Sequence, residues 1–185
     1  MIKNVIVEGV DQTGKSTLIA GLQDRLGYFH VVHYQKPQRL SYYQDLLSDQ
    51  AEEVYQRDAF KSMFNLLASP VRIICDRSHL GEVIYAPMYR RYSGDYVYEL
   101  EQSYPEVCND TLLVLLYTSS FKIINDDGKS IDVNKREDEQ RLFLKAFHRS
   151  FIKHKLTVDV YGGNGSFRSS QEILDEVCVK LFTSV

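Results

Sequence analysis

The feature that most constrains the fold is a glycine-rich loop near the amino terminus, with the pattern GxxxxGKS from Gly9 to Ser16. It follows the apolar run Val5-Ile6-Val7 and precedes apolar residues at helical spacing. Glycines let the backbone turn so that its N–H groups reach phosphate oxygens, the lysine adds a positive charge, and the serine hydroxyl binds Mg²⁺. The following helix directs its positive end at the same anion. The pattern therefore predicts a phosphate loop with a nucleoside triphosphate as its ligand.

Four further apolar runs predict more strands of the same sheet. Their apolar residues are consecutive rather than alternating, which is typical of strands that helices cover on both faces, and the segments between them are long enough for crossover helices. The sequence thus predicts an α/β fold of the P-loop NTPase type, a three-layer αβα sandwich with a central five-stranded parallel sheet, in a single domain over residues 1–185. The predicted additional strands lie at 31–34, 71–75, 112–117 and 156–160.

Apolar spacing also predicts helices between and after these strands. One spans 52–68 and a second spans 137–152. The sequence Ser169-Ser170-Gln171-Glu172 has the pattern of a capping box and predicts a carboxy-terminal helix. The residues expected to face inward are Val54, Met63 and Leu67 in the first helix, Phe143, Phe147 and Phe151 in the second, and Ile173, Leu174, Val177, Cys178 and Leu181 in the third.

A polar, turn-rich segment at 125–130 precedes the charged run 135–139. Polar loops occur both as lids over active sites and as plain surface loops. Two interpretations therefore stand side by side, a flexible lid over about 120–136 and an exposed loop.

Composition narrows the class of protein. The net charge is −3 and the pI is about 6.0, so no broad cationic face for nucleic acid is expected. The longest apolar run, 112–117, is far below the length that spans a bilayer. Three cysteines without metal-ligand spacing predict reduced, mostly buried thiols. We therefore expect a cytoplasmic enzyme that uses small-molecule nucleotides, with no nucleic-acid or membrane partner.

A second chemical signal is Asp76-Arg77-Ser78, at the end of the third apolar run. In a parallel sheet this edge faces the ligand crevice. An aspartate there suits Mg²⁺, and an arginine suits the acceptor's phosphate or the transferring group; an exposed ion pair at a strand end is the alternative. The chain lacks the Asn-Lys-x-Asp guanine reader of GTPases and has no room for the extra domains of motors. Phosphoryl transfer to a small molecule is the remaining prediction.

Residues 7–17, VEGVDQTGKST, resemble the phosphate loop of thymidylate kinases, including the acidic residue within the loop. Asp76-Arg77-Ser78 resembles the Asp-Arg-Tyr motif of that family, with serine in place of tyrosine. The resemblance implies transfer of the ATP γ-phosphoryl group to dTMP, giving dTDP and ADP, with Mg²⁺ as cofactor. It implies that Asp11 contacts the acceptor's sugar, that Arg77 holds its phosphate, and that the protein forms a homodimer.

Because its third residue is Ser78, the same segment also resembles the Glu-Arg-Ser motif of deoxynucleoside kinases. That alternative makes the acceptor a nucleoside hydroxyl, which needs a general base, whereas a monophosphate already presents an anionic oxygen. Asp11 favours the monophosphate, because the phosphate loops of deoxynucleoside kinases usually lack an internal aspartate. A nucleotide-binding switch without catalysis is a third and less favoured alternative.

The predicted site follows from these patterns. Bringing two anions together requires extra cations, for which Arg39, Lys129, Lys135, Arg136 and Arg141 are candidates and Arg136 is favoured. Aromatic residues at 55, 60 and 64 suit a flat base and Arg57 suits a pyrimidine carbonyl, although aromatics at helical spacing are often core. The glycine-rich stretch 162–166 is expected near adenine, with an ordinary turn between the last strand and the carboxy-terminal helix as the alternative. The predicted catalytic residues are Lys15, Arg77 and Arg136; the ATP-binding residues are Gln12, Thr13, Gly14, Lys15, Ser16 and Thr17; the acceptor-binding residues are Asp11, Arg39, Arg57, Phe60 and Arg77; and the metal ligands are Ser16 and Asp76.

Overall fold

A five-stranded sheet forms the centre of the computed structural model, which describes residues 2–34, 49–124 and 133–183. The strand order is β2-β3-β1-β4-β5, and every neighbouring pair is parallel. The predicted five-stranded parallel sheet is therefore confirmed. The strands are β1 Asn4–Gly9, β2 His30–His33, β3 Ile73–Asp76, β4 Thr111–Tyr117 and β5 His154–Asp159.

Seven helices in the described ranges connect and follow these strands. Two single 3₁₀ turns, Phe121–Ile123 and Val133–Lys135, flank a stretch of the predicted lid that lies outside the described residues, 125–132. The helices are α1 Lys15–Leu26, α2 Asp49–Ala68, α3 Leu80–Tyr89, α4 Tyr96–Ser103, α5 Pro105–Asp110, α6 Arg136–Arg149 and α7 Ser170–Thr183.

The sheet separates two apolar clusters, because successive residues of a strand point to opposite faces. Val5 and Val7 of β1 join α1 and α7 on one face, whereas Ile6 joins α2, α3 and α6 on the other. All three residues have no exposed surface. The result is the predicted αβα sandwich, with the carboxyl ends of β1 and β3 adjacent at one edge.

Two predicted core positions are wrong. Val54 is 60% exposed, because it lies nine residues before the buried Met63 and therefore half a turn around α2 from it. Phe151 is 47% exposed, because the extended backbone of Ser150 ends α6 before the helical spacing reaches it.

The carboxy-terminal helix begins as predicted. The Glu172 N–H donates to Ser169 Oγ at 3.2 Å, and the Ser169 N–H donates to Glu172 Oε2 at 3.0 Å, which is the reciprocal pattern of a capping box. The glycine-rich stretch before it forms a small antiparallel hairpin, β6 Tyr161–Gly163 and β7 Ser166–Phe167, rather than a simple turn.

All three cysteines are buried and free, as the sequence predicts. Among the described residues, no helix has both the length and the apolar character to cross a membrane.

Candidate active site

The phosphate loop leaves β1 at a glycine that no other residue can replace without strain. Gly9 has φ +144°, and a Cβ there would lie 2.3 Å from the Leu116 carbonyl oxygen of the neighbouring strand β4. Gly14, also left-handed at φ +85°, brings the chain into α1. The two glycines of the motif therefore serve a close approach at one end and a helix start at the other.

Lys15 lies inside this loop. Its Nζ donates to the carbonyl oxygens of Gly9 at 2.8 Å and Val10 at 2.7 Å, and the residue is 6% exposed. Burial, followed by the nearby charge of Arg77, lowers the Lys15 pKa to about 8. The positive charges of Lys15 and Arg77 repel each other, so the site between them favours an anion.

The other predicted ATP-binding residues line the same loop. Thr13 is buried and its Oγ1 donates to the Val10 carbonyl oxygen at 2.9 Å, whereas Ser16 and Thr17 are exposed on the first turn of α1. Gln12 has a left-handed backbone with φ +66°. Their contacts with ATP stay predictions.

Four consecutive residues at the end of β3 are each held by a different element. The pairs are Asp76 Oδ2 with His33 Nδ1 at 2.9 Å, Arg77 Nη2 with Asp11 Oδ1 at 2.6 Å, Ser78 Oγ with Glu8 Oε1 at 2.6 Å, and His79 Nε2 with Glu101 Oε1 at 2.7 Å. The partners belong to β2, the phosphate loop, β1 and α4, so the strand end is fixed from four sides.

Arg77 is the residue in this segment that faces the phosphate loop. Its backbone is left-handed, with φ +67°, and its N–H donates to the Val7 carbonyl oxygen at 3.0 Å. Its Nη1 is buried and has no hydrogen-bond partner among the described residues. Burial disfavours the cation, but the hydrogen bond and charge of Asp11, together with the nearby Tyr85 and Glu8, outweigh it, so the Arg77 pKa lies above its ordinary value. The structure thus brings the predicted residues Asp11 and Arg77 together and leaves a charged donor for an anion.

Glu8 is a site residue that the sequence analysis did not identify. It has no exposed surface, and burial raises its pKa despite the Ser78 hydrogen bond and the charge of Arg77. Its Oε2 has no partner in the part of the chain that the structure describes. An acidic residue inside an otherwise apolar strand next to the phosphate loop is the signal that marks it.

Helices α3 and α6 form a second wall beside Arg77. Phe143 of α6 contacts Tyr85 of α3 edge to face at 5.9 Å, and Tyr89 donates to Glu139 at 3.0 Å. Arg136 is the first residue of α6 and is 6% exposed. It lies three residues before Glu139 and therefore on the face that packs against α3.

Two neighbouring cation candidates are placed differently. Lys135 lies over the Tyr89 ring, with 5.4 Å from Nζ to the centroid. Arg141 has a side chain that is 70% exposed and pairs with Asp138 at 2.9 Å. Of the described candidates in α6 and the turn before it, Arg136 and Lys135 are on the α3 side.

The predicted base contacts lie on α2. Arg57 pairs with Glu53 at 3.1 Å and Glu99 at 3.5 Å and lies over the Tyr96 ring at 4.3 Å, so its described contacts are with α2 and α4 rather than with Asp11 or Arg77. Phe60 is 8% exposed and belongs to the core cluster. Arg39 and Lys129 lie outside the described residues.

A cavity of about 290 Å³ opens on the other side of the phosphate loop. Arg168, which follows β7, is held there by its bonds to the Asp159 carbonyl oxygen at 3.1 Å and Glu176 at 2.8 Å. The cavity is largely apolar and adjoins the hairpin, close to where the sequence places adenine. Its lining residues are Gln12, Thr13, Gly14, Thr17, Leu18, Val160, Phe167, Arg168, Ser170 and Ile173.

The oxygen donors at the site suit Mg²⁺. Ser16 offers a hydroxyl, and Asp76 offers a carboxylate that is 16% exposed at the end of β3. Among the described residues there is no group of three or more His, Cys, Asp or Glu that could hold a metal. Two oxygen ligands from the protein are enough for Mg²⁺, which usually takes its remaining ligands from water and substrate phosphates.

Comparison with known proteins agrees with this geometry. A family model described as an AAA domain matches residues 4–161, and the chain belongs to this family. No curated protein matches significantly.

Solved structures share the fold at low sequence identity. The YorR protein from Bacillus subtilis, in complex with phosphorylated GDP, is 20% identical with a TM-score of 0.65, over 95% of this chain and 94% of that one. Thymidylate kinase from Candida albicans is 16% identical with a TM-score of 0.63, over 98% and 92%. Deoxyadenosine kinase from M. mycoides with bound dATP is 13% identical with a TM-score of 0.60, over 97% and 100%. The resemblance to these kinases that the sequence predicts is thus confirmed in the fold.

Proposed function

We propose that this protein is an ATP-dependent kinase that transfers the γ-phosphoryl group to a deoxynucleoside monophosphate, with dTMP as the first candidate. The observation that carries the proposal is the pairing of Arg77 with Asp11 of the phosphate loop at 2.6 Å, close to the buried Lys15. This arrangement supports a role for Lys15 with the triphosphate and for Arg77 with a second anion beside it. Neighbouring folds include a thymidylate kinase and a deoxyadenosine kinase, which agrees with a nucleotide or nucleoside kinase.

In the proposed reaction, an oxygen of the acceptor phosphate attacks the γ-phosphorus while the bond from that phosphorus to the β–γ bridging oxygen breaks, and ADP leaves. The protein has little covalent chemistry to perform, so positioning and charge stabilisation dominate. Lys15 and the loop N–H groups bind the donor phosphates, and Arg77 orients the acceptor phosphate through its unpartnered Nη1. Asp11 keeps the Arg77 guanidinium in place. We also assign Asp11 to contact the acceptor's sugar.

Ser16 and Asp76 would hold Mg²⁺, whose charge would offset that of the donor phosphates when it is bound. Arg136 begins α6 on the face beside Tyr85 and Glu139, so it is the cation we assign to the transferring group. An arginine in that role contributes about 10³- to 10⁵-fold in rate. Gln12, Thr13, Gly14 and Thr17 complete the donor site, and adenine is assigned to the cavity near Arg168.

A deoxynucleoside kinase is the second candidate, and Ser78 favours it. This serine is buried and donates to Glu8, a carboxylate whose second oxygen has no partner in the described chain. A nucleoside hydroxyl would need a carboxylate of this kind as a general base. The Asp11–Arg77 pair favours the monophosphate, because a neutral acceptor does not require a charged clamp.

The test is a panel of acceptors with ATP and Mg²⁺, with products identified by mass. It contains each deoxynucleoside and each deoxynucleoside monophosphate, and GMP is included because of the ligand named for YorR. We expect dTDP from dTMP and no product from thymidine. Formation of dTMP from thymidine would support the second candidate, and slow ATP hydrolysis without transfer to any acceptor would overturn both. The homodimer stays a prediction, which light scattering after size-exclusion chromatography checks.

A further inference from the structure

A buried hydrogen-bond cluster begins two residues after Arg77, at His79. None of its members is assigned to the reaction. Its members are His79 and Glu101, both with no exposed surface, and Ser150, which is 6% exposed. His79 follows Arg77 by two residues at the start of α3, Glu101 lies in α4, and Ser150 ends α6. The cluster therefore joins three helices through Glu101, which is 22 residues from His79 and 49 residues from Ser150 in the sequence.

Glu101 is the centre of this cluster. Its Oε1 accepts from His79 Nε2 at 2.7 Å and from Ser150 Oγ at 2.6 Å, and its Oε2 accepts from the Phe151 N–H at 2.6 Å. Burial alone would raise the Glu101 pKa, but the bond and charge of His79, with the Ser150 and Phe151 donors, hold it below its ordinary value. The carboxylate is thus ionised and accepts three hydrogen bonds, which fixes His79, Ser150 and Phe151 relative to one another.

The His79 side of the cluster bears on the conformation of Arg77. A left-handed backbone at a residue other than glycine persists only when its surroundings hold it there. Ser78 is bound to Glu8 on one side of the turn, and His79 is bound to Glu101 and packs against Phe64 at 4.9 Å on the other. These two bonds fix the residues that follow Arg77, so the direction of its guanidinium depends on them.

The Ser150 side bears on Arg136. Helix α6 has 14 residues, which makes it about 20 Å long. Arg136 is at one end, and Ser150 and Phe151 follow the other end, where both bond to Glu101. Because a helix moves as a rigid element, anchoring its far end limits where its first residue can lie.

We infer that Glu101 is a positioning residue that aligns Arg77 and Arg136 with each other by anchoring the β3–α3 turn and the end of α6 on a single buried carboxylate. This inference rests on the proposed kinase function. Glu101 does not touch the substrates, so its loss should disturb the relative placement of two arginines while leaving the phosphate loop intact.

The test compares steady-state kinetics of Glu101→Gln, His79→Gln and Ser150→Ala with the wild type, well below the melting temperature of each variant. We expect kcat to fall about 10- to 100-fold in Glu101→Gln, since a misplacement of about 1 Å costs that much. The KM for ATP should change by less than about 3-fold, because Lys15 and its loop do not contact the cluster.

Asp95→Asn is the matched control. The Asp95–Arg149 ion pair, 2.6 Å long, also ties the start of α4 to the end of α6, but both side chains are more than half exposed. Its loss should leave kcat within about 2-fold of the wild type, because exposed ion pairs contribute little.

A double-mutant cycle with Arg77→Ala separates positioning from general stability. If Glu101 aligns Arg77 with Arg136, Glu101→Gln should cost less in the Arg77→Ala background than in the wild type, because the placement of Arg136 relative to Arg77 no longer matters there. The same cost in both backgrounds, or an unchanged kcat in Glu101→Gln, would overturn the inference. If Glu101→Gln does not fold, the same comparison is made with His79→Gln and Ser150→Ala, and an unchanged kcat in both would overturn it. A wild type that phosphorylates no acceptor would instead contradict the proposed function.

Discussion

At the scale of single residues, Arg77 shows how a short sequence motif forms a candidate binding site. Its left-handed backbone turns the side chain towards the phosphate loop, where Asp11 holds one guanidinium nitrogen at 2.6 Å. The second nitrogen, Nη1, is left buried without a partner in the described chain. Buried charged donors of this kind are costly unless a ligand satisfies them. An anion bound there, as we propose, would satisfy this donor.

Changing Arg77 to Ala should lower kcat/KM for the acceptor about 100-fold or more, because a charged donor to a reacting group contributes on that scale. The KM for ATP should remain close to that of the wild type. Steady-state kinetics with each substrate varied in turn measures both. Arg141→Ala is the control, since that arginine is exposed and should leave both values unchanged. A loss confined to ATP affinity in Arg77→Ala would contradict the assignment.

Lys15 predicts a specific pH dependence of stability. Its pKa is lowered from 10.5 to about 8 in the folded protein, so between these values the unfolded chain binds more protons. Stability rises with pH wherever that holds. Below pH 8 the wild type bears the whole cost of burying the ammonium, on the order of 3 kcal/mol, and this cost fades towards pH 10.5.

The comparison variant is Lys15→Met, which keeps a similar side-chain length without a titrating group. Urea unfolding of both proteins at pH 7, 9 and 10.5 should show the wild type gaining free energy of unfolding relative to the variant as the pH rises. A difference that stays constant across this range would mean that the Lys15 pKa is not lowered.

Several residues of the site were predictable because their chemistry is local. The loop pattern points to Lys15, and the strand-end motif points to Arg77. Glu8 and Glu101 were missed because their roles depend on burial, and the sequence alone does not reveal that a glutamate is buried. Arg57 was assigned to the base from its position before β3, whereas its described contacts are Glu53, Glu99 and Tyr96. Contacts between helices distant in sequence have no local signal.

At the scale of elements, the junction of β1 with the phosphate loop is the most tightly constrained. Gly9→Ala should destabilise the protein by about 1–3 kcal/mol for overpacking, in addition to backbone strain, because its Cβ would meet the Leu116 carbonyl oxygen at 2.3 Å. Gly27→Ala is the matched control. Gly27 is also left-handed, at φ +67°, but no atom lies within 4 Å of the position that its Cβ would take.

Gly27→Ala should therefore cost only the left-handed conformation, about 1 kcal/mol. Urea denaturation of the two variants and the wild type gives both values. Equal losses of stability in the two variants would show that the close approach of β1 to β4 is not what restricts Gly9.

The elements that the sequence predicted well are the buried strands, because short runs of consecutive apolar residues are typical of strands that helices cover on both faces. The capping box of α7 was equally clear. Helices α3, α4 and α5, of 6 to 10 residues, were not predicted individually, since helices so short depend on packing more than on their own sequence. Pro87 inside α3 further weakens the local signal. The hairpin β6–β7 was not predicted, because its strands are equally short.

At the scale of the whole molecule, the strand order explains why the site lies where it does. Strands β1 and β3 are neighbours, with Val7 paired to Asp76, so the phosphate loop and the Asp76–His79 turn leave the sheet side by side. The fold could be predicted from the sequence because these two motifs and the apolar runs all require the same sheet edge. The acceptor's base could not, because no single residue type identifies it.

Ligand binding should raise the stability of the whole chain. A ligand that binds only the folded state adds about 2.7 kcal/mol when its concentration is 100 times its Kd. We expect ATP with Mg²⁺ to raise the Tm of the wild type and to have little effect on Lys15→Ala, whose phosphate loop lacks its ammonium. Calorimetry with and without nucleotide measures this. An equal rise of Tm in both proteins would mean that ATP binds elsewhere.

The central claim is that two anions are held side by side, one by Lys15 and its loop and the other by Arg77. The most direct measurement is calorimetric titration with adenosine joined to thymidine through five phosphates, which presents both anions at once. We predict that the wild type binds this compound at least about 100-fold more tightly than ATP and that Arg77→Ala loses most of the difference. Binding no tighter than that of ATP, or unchanged binding in Arg77→Ala, would contradict the account.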